Sequence, residues 1–410
     1  MPAPTAPARP LQTVLVLSAA ALAFSSAQTA TVPAIPEMAR ALDCTEADVT
    51  WTLTAYLVAA AIATPIVGRL GDRFGRRRLL IVALMVFAAG SALAALGQRV
   101  EVVVAGRAVQ GAGGGIFPLC FGIVREQLPA ARVPTFIGVI AAILGLGAAV
   151  GLIVGGVLVD HASWEWIFWL GALSAVLSAV ATHRLIAPSR PHPREARDRA
   201  PGGEPAGAPR VLRITNVATF AMGFVLFGVF ILVPQFAQTP ESSGYGFGTG
   251  ASGGGLLLVP GCLAMLAVST VPGALGRGTS GRARLMIGAG VSAAGLLATA
   301  AAHGSPAAVA GWSVLTLGGL GIALAAISNL IVDAAGPRRT AEATGINLVV
   351  RTVGSSAGSQ VIATVLAGTV VAGRTVPTEG GYTTAFVICA AFGLAALASA
   401  GALPRAAVGR

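Results

Sequence analysis

Long apolar stretches alternate with short polar ones along most of the chain. A helix needs roughly 20 mostly apolar residues to cross the hydrocarbon core of a bilayer. Runs of that kind fall at about 12–32, 50–68, 79–97, 101–123, 134–159 and 164–186, and again at about 214–236, 251–275, 284–302, 306–332, 344–371 and 383–402. They predict an all-α membrane protein with twelve transmembrane helices. The alternation breaks once: residues 187–212 are rich in Pro, Arg, Gly and Glu and have no apolar period. That stretch reads as a polar linker. The domain reading is therefore a six-helix bundle over 12–186, a linker over 187–212 and a second six-helix bundle over 213–403.

Composition agrees with the pattern. The chain is 55% hydrophobic and only 10% charged, with a mean hydropathy of +0.80. A soluble domain carries about a quarter charged residues. The net charge of +11 comes entirely from arginine, for the sequence has no lysine. With twelve spans, Arg9, the 69–78 cluster, Arg125, Arg132, the linker set, Arg277, Arg282, Arg284, Arg338, Arg339, Arg405 and Arg410 fall on one side. The other side holds Arg40, Arg99 and Arg374 among Glu37, Asp43, Glu46, Asp48, Asp160, Glu165, Glu241 and Glu379. The positive-inside rule then puts both termini in the cytoplasm and accounts for the basic balance without a nucleic-acid partner. The first apolar run ends in a signal-peptidase-like stretch, Ser25 to Ala30, and is read as an uncleaved first helix because many spans follow. The four cysteines and four histidines have no metal-ligand spacing. No metal or cofactor is expected, and without lysine a Walker phosphate loop is impossible.

The densest polar motif is Gly68 to Arg78, GRLGDRFGRRR, between the second and third runs. It resembles the loop between helices 2 and 3 of the major facilitator superfamily through Gly68, Leu70, Gly71, Asp72, Arg73, Gly75, Arg76 and Arg77. The resemblance implies two pseudo-symmetric six-helix bundles, and a cytoplasmic latch in which Asp72 sits near a helix N-terminus and an arginine. An anion there gains roughly 0.3–1 kcal/mol. The plainer alternative is that the arginines only anchor topology. The second half holds a degenerate echo, Gly273 to Arg277 followed by Gly281 and Arg282, as expected of a two-repeat transporter.

Further motifs carry the same resemblance. Arg107, Gln110, Gly111 and Gly113 are similar to the family's R-x-x-Q-G-x-G in span 4. Arg107 is expected to face a central cavity, or to snorkel toward the outer surface. In span 5, Gly147, Gly151, Gly155 and Gly156 resemble the glycine-rich motif of the drug-exporting branches and predict close helix packing. Leu152 replaces that motif's proline, so its kink is not expected. Trp164, Glu165, Trp166 and Trp169 are similar to the aromatic start of span 6 in those exporters and fit an interfacial belt. Gln235 and Gln238 close span 7 at what would be the outer mouth. Asn347, Arg351 and Ser355 repeat every four residues and share a helix face, to line a cavity or to join helices. Gln28 and Thr29 stand where the larger exporter branch often carries an acid and a threonine, to contact substrate or another helix.

No Asp or Glu falls at the middle of a span. Asp72, Glu37, Asp160 and Asp333 are the carboxylates left to carry a coupling proton. The resemblance implies a proton-coupled exporter of amphipathic small molecules in a bacterial cytoplasmic membrane, working as a monomer by alternating access. The alternatives are a narrow-substrate carrier of the same fold and a membrane sensor. No pairing of nucleophile and base suggests an enzyme.

Overall fold

The computed structural model describes residues 10–129, 133–188, 208–270, 279–370 and 376–404. These form helices α1 (Pro10–Thr29), α2 (Ile35–Ala41), α3 (Glu46–Phe74), α4 (Arg76–Ala95), α5 (Val100–Gly111), α6 (Ile116–Gln127), α7 (Val133–His161) and α8 (Glu165–Leu185). They continue as α9 (Ala208–Gln238), α10 (Ala251–Leu256), α11 (Val259–Thr270), α12 (Gly281–Ala301), α13 (Pro306–Ala367) and α14 (Glu379–Gly401). Helix α9 begins inside the predicted linker, most of which lies outside the described residues. Among the described residues the only β feature is a single bridge between Val370 and Pro377.

Ten described segments are long and apolar enough to cross a bilayer, and Leu146–His161 is a shorter apolar helix. Helix α13, at 62 residues, is more than one crossing. His303, just before it, pairs with Glu379 at 2.9 Å. Just after it, the Thr369 carbonyl accepts from the Thr378 amide at 3.2 Å. A straight helix of that length would hold these flanks roughly 90 Å apart. Helix α13 therefore doubles back, into arms over 306–335 and 344–367. The predicted spans 10 and 11 correspond to these arms.

Helices of the first half pack mainly on one another: α1 on α7 and α8, α4 on α5 and α8, α3 on α5. Those of the second half do likewise: α13 on α9, α11 and α12, and α14 on α9 and α12. Glycine allows the closest crossings. A Cβ on Gly90 would strike the backbone of Gly106 and Gln110, and one on Gly288 would strike that of Gly319 and Ala323. Without a hydrophobic force between helices in lipid, such backbone approach supplies much of the packing.

The molecule has two chemically distinct ends. One gathers the start of α3, the ends of α7, α9 and α12 and the start of α14, with Glu46, Asp160 and Glu379. Its two arginines of the first half are paired, Arg40 with Glu37 at 2.7 Å and Arg99 with Glu101 at 3.5 Å. The other end carries the α3–α4 turn with Arg69, Arg73, Arg76, Arg77 and Arg78, and Arg282, which donates to the Gly401 carbonyl. These are called the acidic and the arginine end below.

Candidate functional site

At the arginine end, α3 passes into α4 through one residue. Gly75 has φ 94° and ψ 124°, a left-handed φ that a side chain disfavours, which explains the glycine. Arg76 donates to the Gly122 carbonyl at 2.9 Å, and Arg77 to the carbonyls of Thr182 and His183, tying the turn to α6 and α8. Arg73 is exposed, its guanidinium 5.3 Å from the Phe74 ring centroid. Gly68 faces open space. The side chain of Asp72 and the second-half echo at 273–277 lie outside the described residues.

Arg107 neither lines an open cavity nor snorkels; it is fully buried within the first bundle. Its guanidinium donates to the carbonyls of Thr52 (3.2 Å) and Ala27 (3.1 Å) and to Gln110 Oε1. It lies 4.2 Å from the Tyr56 ring centroid, and Nη2 has no hydrogen-bond partner. Gln110 Nε2 donates in turn to Ser91 Oγ at 2.6 Å. A sealed cation held by carbonyl oxygens and a ring face, with no carboxylate, is an expensive arrangement.

The span-5 glycines sit where α7 meets its neighbours. A Cβ on Gly147, Gly151 or Gly155 would collide, respectively, with Ser25 of α1, with Ser26 and Thr29 of α1, or with Ala30 just past it, and one on Gly156 with Ser252 of α10. Helix α7 is unbroken, in keeping with Leu152. Thr29 is buried and donates to the Ala148 carbonyl at 2.9 Å, so in this conformation it joins helices. Gln28 is half-buried beside the Tyr56 hydroxyl. Because Gly155 meets the Ala30 backbone, which cannot swing aside, Gly155→Leu is expected to drive α1 and α7 apart. The monodisperse yield after extraction should fall at least about fivefold by size-exclusion chromatography, an overpacking cost of about 1–3 kcal/mol or more.

Among the described residues, three sets of side-chain contacts join the two halves, all at or near the acidic end. Asp160, ending α7, accepts from the backbone amides of Ala251 and Ser252 at 2.8 Å each and from the Ser252 hydroxyl. Helix α10 has no side-chain cap of its own, so a carboxylate from the other half satisfies its first amides. Gln235 Nε2 donates to Glu46 Oε2 at 2.6 Å. Deeper, Thr54 meets Ser359 at 3.2 Å and donates to Gln360 at 3.3 Å. Glycines make the approach possible, Gly255 resting on the Leu152 backbone and Gly156 on Ser252. The acidic end is closed in this structure. Gln235, expected at an open mouth, is buried in that closure.

In the second half, Asn347 donates to Asn216 (3.0 Å) and Thr219 (2.6 Å), and Ser355 to the Gly223 carbonyl. These residues join the second arm of α13 to α9. Arg351, between them, lies against Gly223, the middle of the Pro209–Gln238 segment. It is half-buried, with no hydrogen-bond or ion-pair partner among the described residues.

A fold of this kind is also found in known proteins. The Major Facilitator Superfamily model matches residues 17–359. The chain belongs to this superfamily. The tetracenomycin C resistance and export protein of Streptomyces glaucescens is 32% identical over 174 residues, 42% of this chain and 32% of that protein. Multidrug resistance protein 3 of Bacillus subtilis is 32% identical over 149 residues, 36% and 29% of the two chains. An uncharacterized superfamily transporter of Mycobacterium tuberculosis is 34% identical over 164 residues, 39% and 24%. The chain thus spans a third or less of the length of these curated relatives. The nucleoside transporter NupG has the same fold, with a TM-score of 0.75, 14% identity and coverage of 96% and 99%. So does a bacterial homologue of the lysosomal transporter Spinster, inward-facing and unoccupied, with a TM-score of 0.71, 14% identity and 97% coverage of both chains.

Sequence reasoning missed the closure. In the sequence Asp160 stands as an acid of the face opposite the arginines and as a candidate proton carrier, and nothing there joins Glu46, Thr54, Ser252, Ser359 or Gln360 to it or to one another. The readable signal was an acid ending one span and an uncapped, glycine-rich start to another.

Proposed function

We propose that this superfamily member is a secondary active exporter that moves amphipathic small molecules out of a bacterial cell in exchange for protons. The arginine end and both termini face the cytoplasm, by the positive-inside rule. The bundles at 12–186 and 213–403 rock as units about a midplane cavity, and the protein acts as a monomer. The observation that carries this reading is the closure of the acidic end. It is built from hydrogen bonds between the halves, which break and re-form at small net cost, and its glycine contacts release when the halves separate. Relatives whose names specify resistance and export support the direction. Asp72 and Arg73 form the latch of the opposite end, with Gly68, Gly75 and Arg76 shaping its turn. Gln28 and Arg351 are the polar groups nearest the transport path.

The test is dye accumulation in an efflux-deficient bacterium expressing the chain. The proposal expects accumulation at least about threefold below the vector control, restored by a protonophore and by Asp72→Asn. Unchanged accumulation across a broad dye panel, with the protein confirmed in the membrane, would refute multidrug export.

A further inference from the structure

Where α7 ends and α8 begins, the outer surface of the first half carries a groove of about 620 Å³ lined by Leu158, Ser163, Glu165, Trp166, Trp169, Leu170 and Leu173. The indoles of Trp166 and Trp169 stand open at its rim, 55% and 39% exposed, and Leu170 and Leu173 are similarly open below them. Glu165 is the first residue of α8. Its Oε2 is sealed from solvent without a hydrogen-bond partner, and no described residue bonds its other oxygen.

An interfacial aromatic belt accounts for indoles at this level. The first turn of α8 favours an anion, but neither feature supplies the Glu165 carboxylate with a hydrogen-bond partner. The other half-buried carboxylates of the acidic end are partnered, Glu37 by Arg40 and Glu46 by Gln235, and those without a partner among the described residues, Asp43 and Glu241, are exposed. A half-buried carboxylate and two exposed indoles lining one groove are the groups that attract an organic cation, with cation–π attraction worth about 2 kcal/mol once desolvated. The apolar floor suits a ligand with a lipophilic body.

We infer that this groove binds an amphipathic organic cation from the membrane interface. The charged centre lies between Glu165 and the indoles of Trp166 and Trp169, and the apolar body runs along Leu170 and Leu173. The inference rests on the export reading only in making such a cation a candidate substrate; binding does not depend on transport.

The test is equilibrium binding of tetraphenylphosphonium and of tetraphenylborate, its anion of the same shape, to the full chain in neutral maltoside micelles. Protein-free micelles give the background. Tetraphenylphosphonium is expected to bind at least tenfold more tightly than tetraphenylborate. Glu165→Gln should weaken it about tenfold, as should the pair Trp166→Leu with Trp169→Leu. The corresponding Phe pair should stay within about threefold of the parent, separating loss of the π faces from loss of folding. Equal binding of the two ions, or affinity unmoved by Glu165→Gln, would overturn the inference. Full displacement of the probe by phosphatidylethanolamine would do so too, by making the groove a lipid site. Because binding is read without transport, failure here and failure of export are distinguishable.

Discussion

Replacing Asp160 with alanine is expected to open the acidic end. Asp160 supplies three hydrogen bonds across the interface, two to the first amides of α10 and one to Ser252. Charged hydrogen bonds contribute about 1.5–3 kcal/mol each when buried. Asp160 is solvent-exposed, which reduces the whole set to about 2 kcal/mol. That corresponds to roughly a thirtyfold change in the ratio of closed to open molecules. The remaining contacts, Gln235 with Glu46 and Thr54 with Ser359 and Gln360, hold no helix terminus. The readout is alkylation by an impermeant maleimide of a cysteine placed at Thr50, which is buried and bonds only within its own helix, in a background without native cysteines. The Asp160→Ala background should raise the rate at least about tenfold over the parent. An unchanged rate would mean that Asp160 caps α10 without gating anything.

The second large effect is a separation of stability from function at Arg107. The guanidinium is wholly buried, donates to no carboxylate, and leaves Nη2 without a partner. Desolvating a cation costs several kcal/mol even after relaxation, and three acceptors with one ring face offset only part of that. Arg107→Met fills most of the same space and removes the charge, leaving Gln110 and the carbonyls of Thr52 and Ala27 without this donor. Its thermal midpoint is expected at or above that of the parent, while transport falls at least tenfold. Arg107→Ala removes the packing as well and should lose about 2–4 kcal/mol to the cavity. A methionine variant as unstable as the alanine variant would make Arg107 a structural brace. The reasoning is that a costly local arrangement persists where function requires it.

The fold was legible because its signals are local in sequence. Apolar run length located the spans, and arginines clustered at one end while acids gathered at the other. The close crossings at Gly147, Gly151, Gly155 and Gly156 are what the resemblance to a glycine-rich motif implies. The shared face of Asn347 and Ser355 followed from spacing alone, though which helix it meets did not. Contacts between distant residues were illegible. Nothing near Asp160 points to Ser252, and the pair forms only when two halves of the chain meet. Arg107 misled for a related reason: its partners are mostly backbone carbonyls, which every residue carries, so no complementary side chain marks its burial. Span 10 and span 11 were separable by composition, although their backbone forms one hydrogen-bonded helix by local geometry; only the meeting of His303 with Glu379 and Thr369 with Thr378 shows the reversal.

The central claim is that one protein opens its acidic and arginine ends in alternation. It is tested most directly by paired spin-label distances at both ends, in the parent and in Asp160→Ala. The labels go on cysteines at Arg40 and Glu241 for the acidic end and at Arg69 and Arg210 for the arginine end, all exposed positions, in a background without native cysteines. The account predicts that Asp160→Ala adds a longer acidic-end distance and depletes the longer arginine-end distance by the same fraction of molecules. Widening of the acidic end with no change at the arginine end would contradict it, because the halves would then loosen without exchanging access.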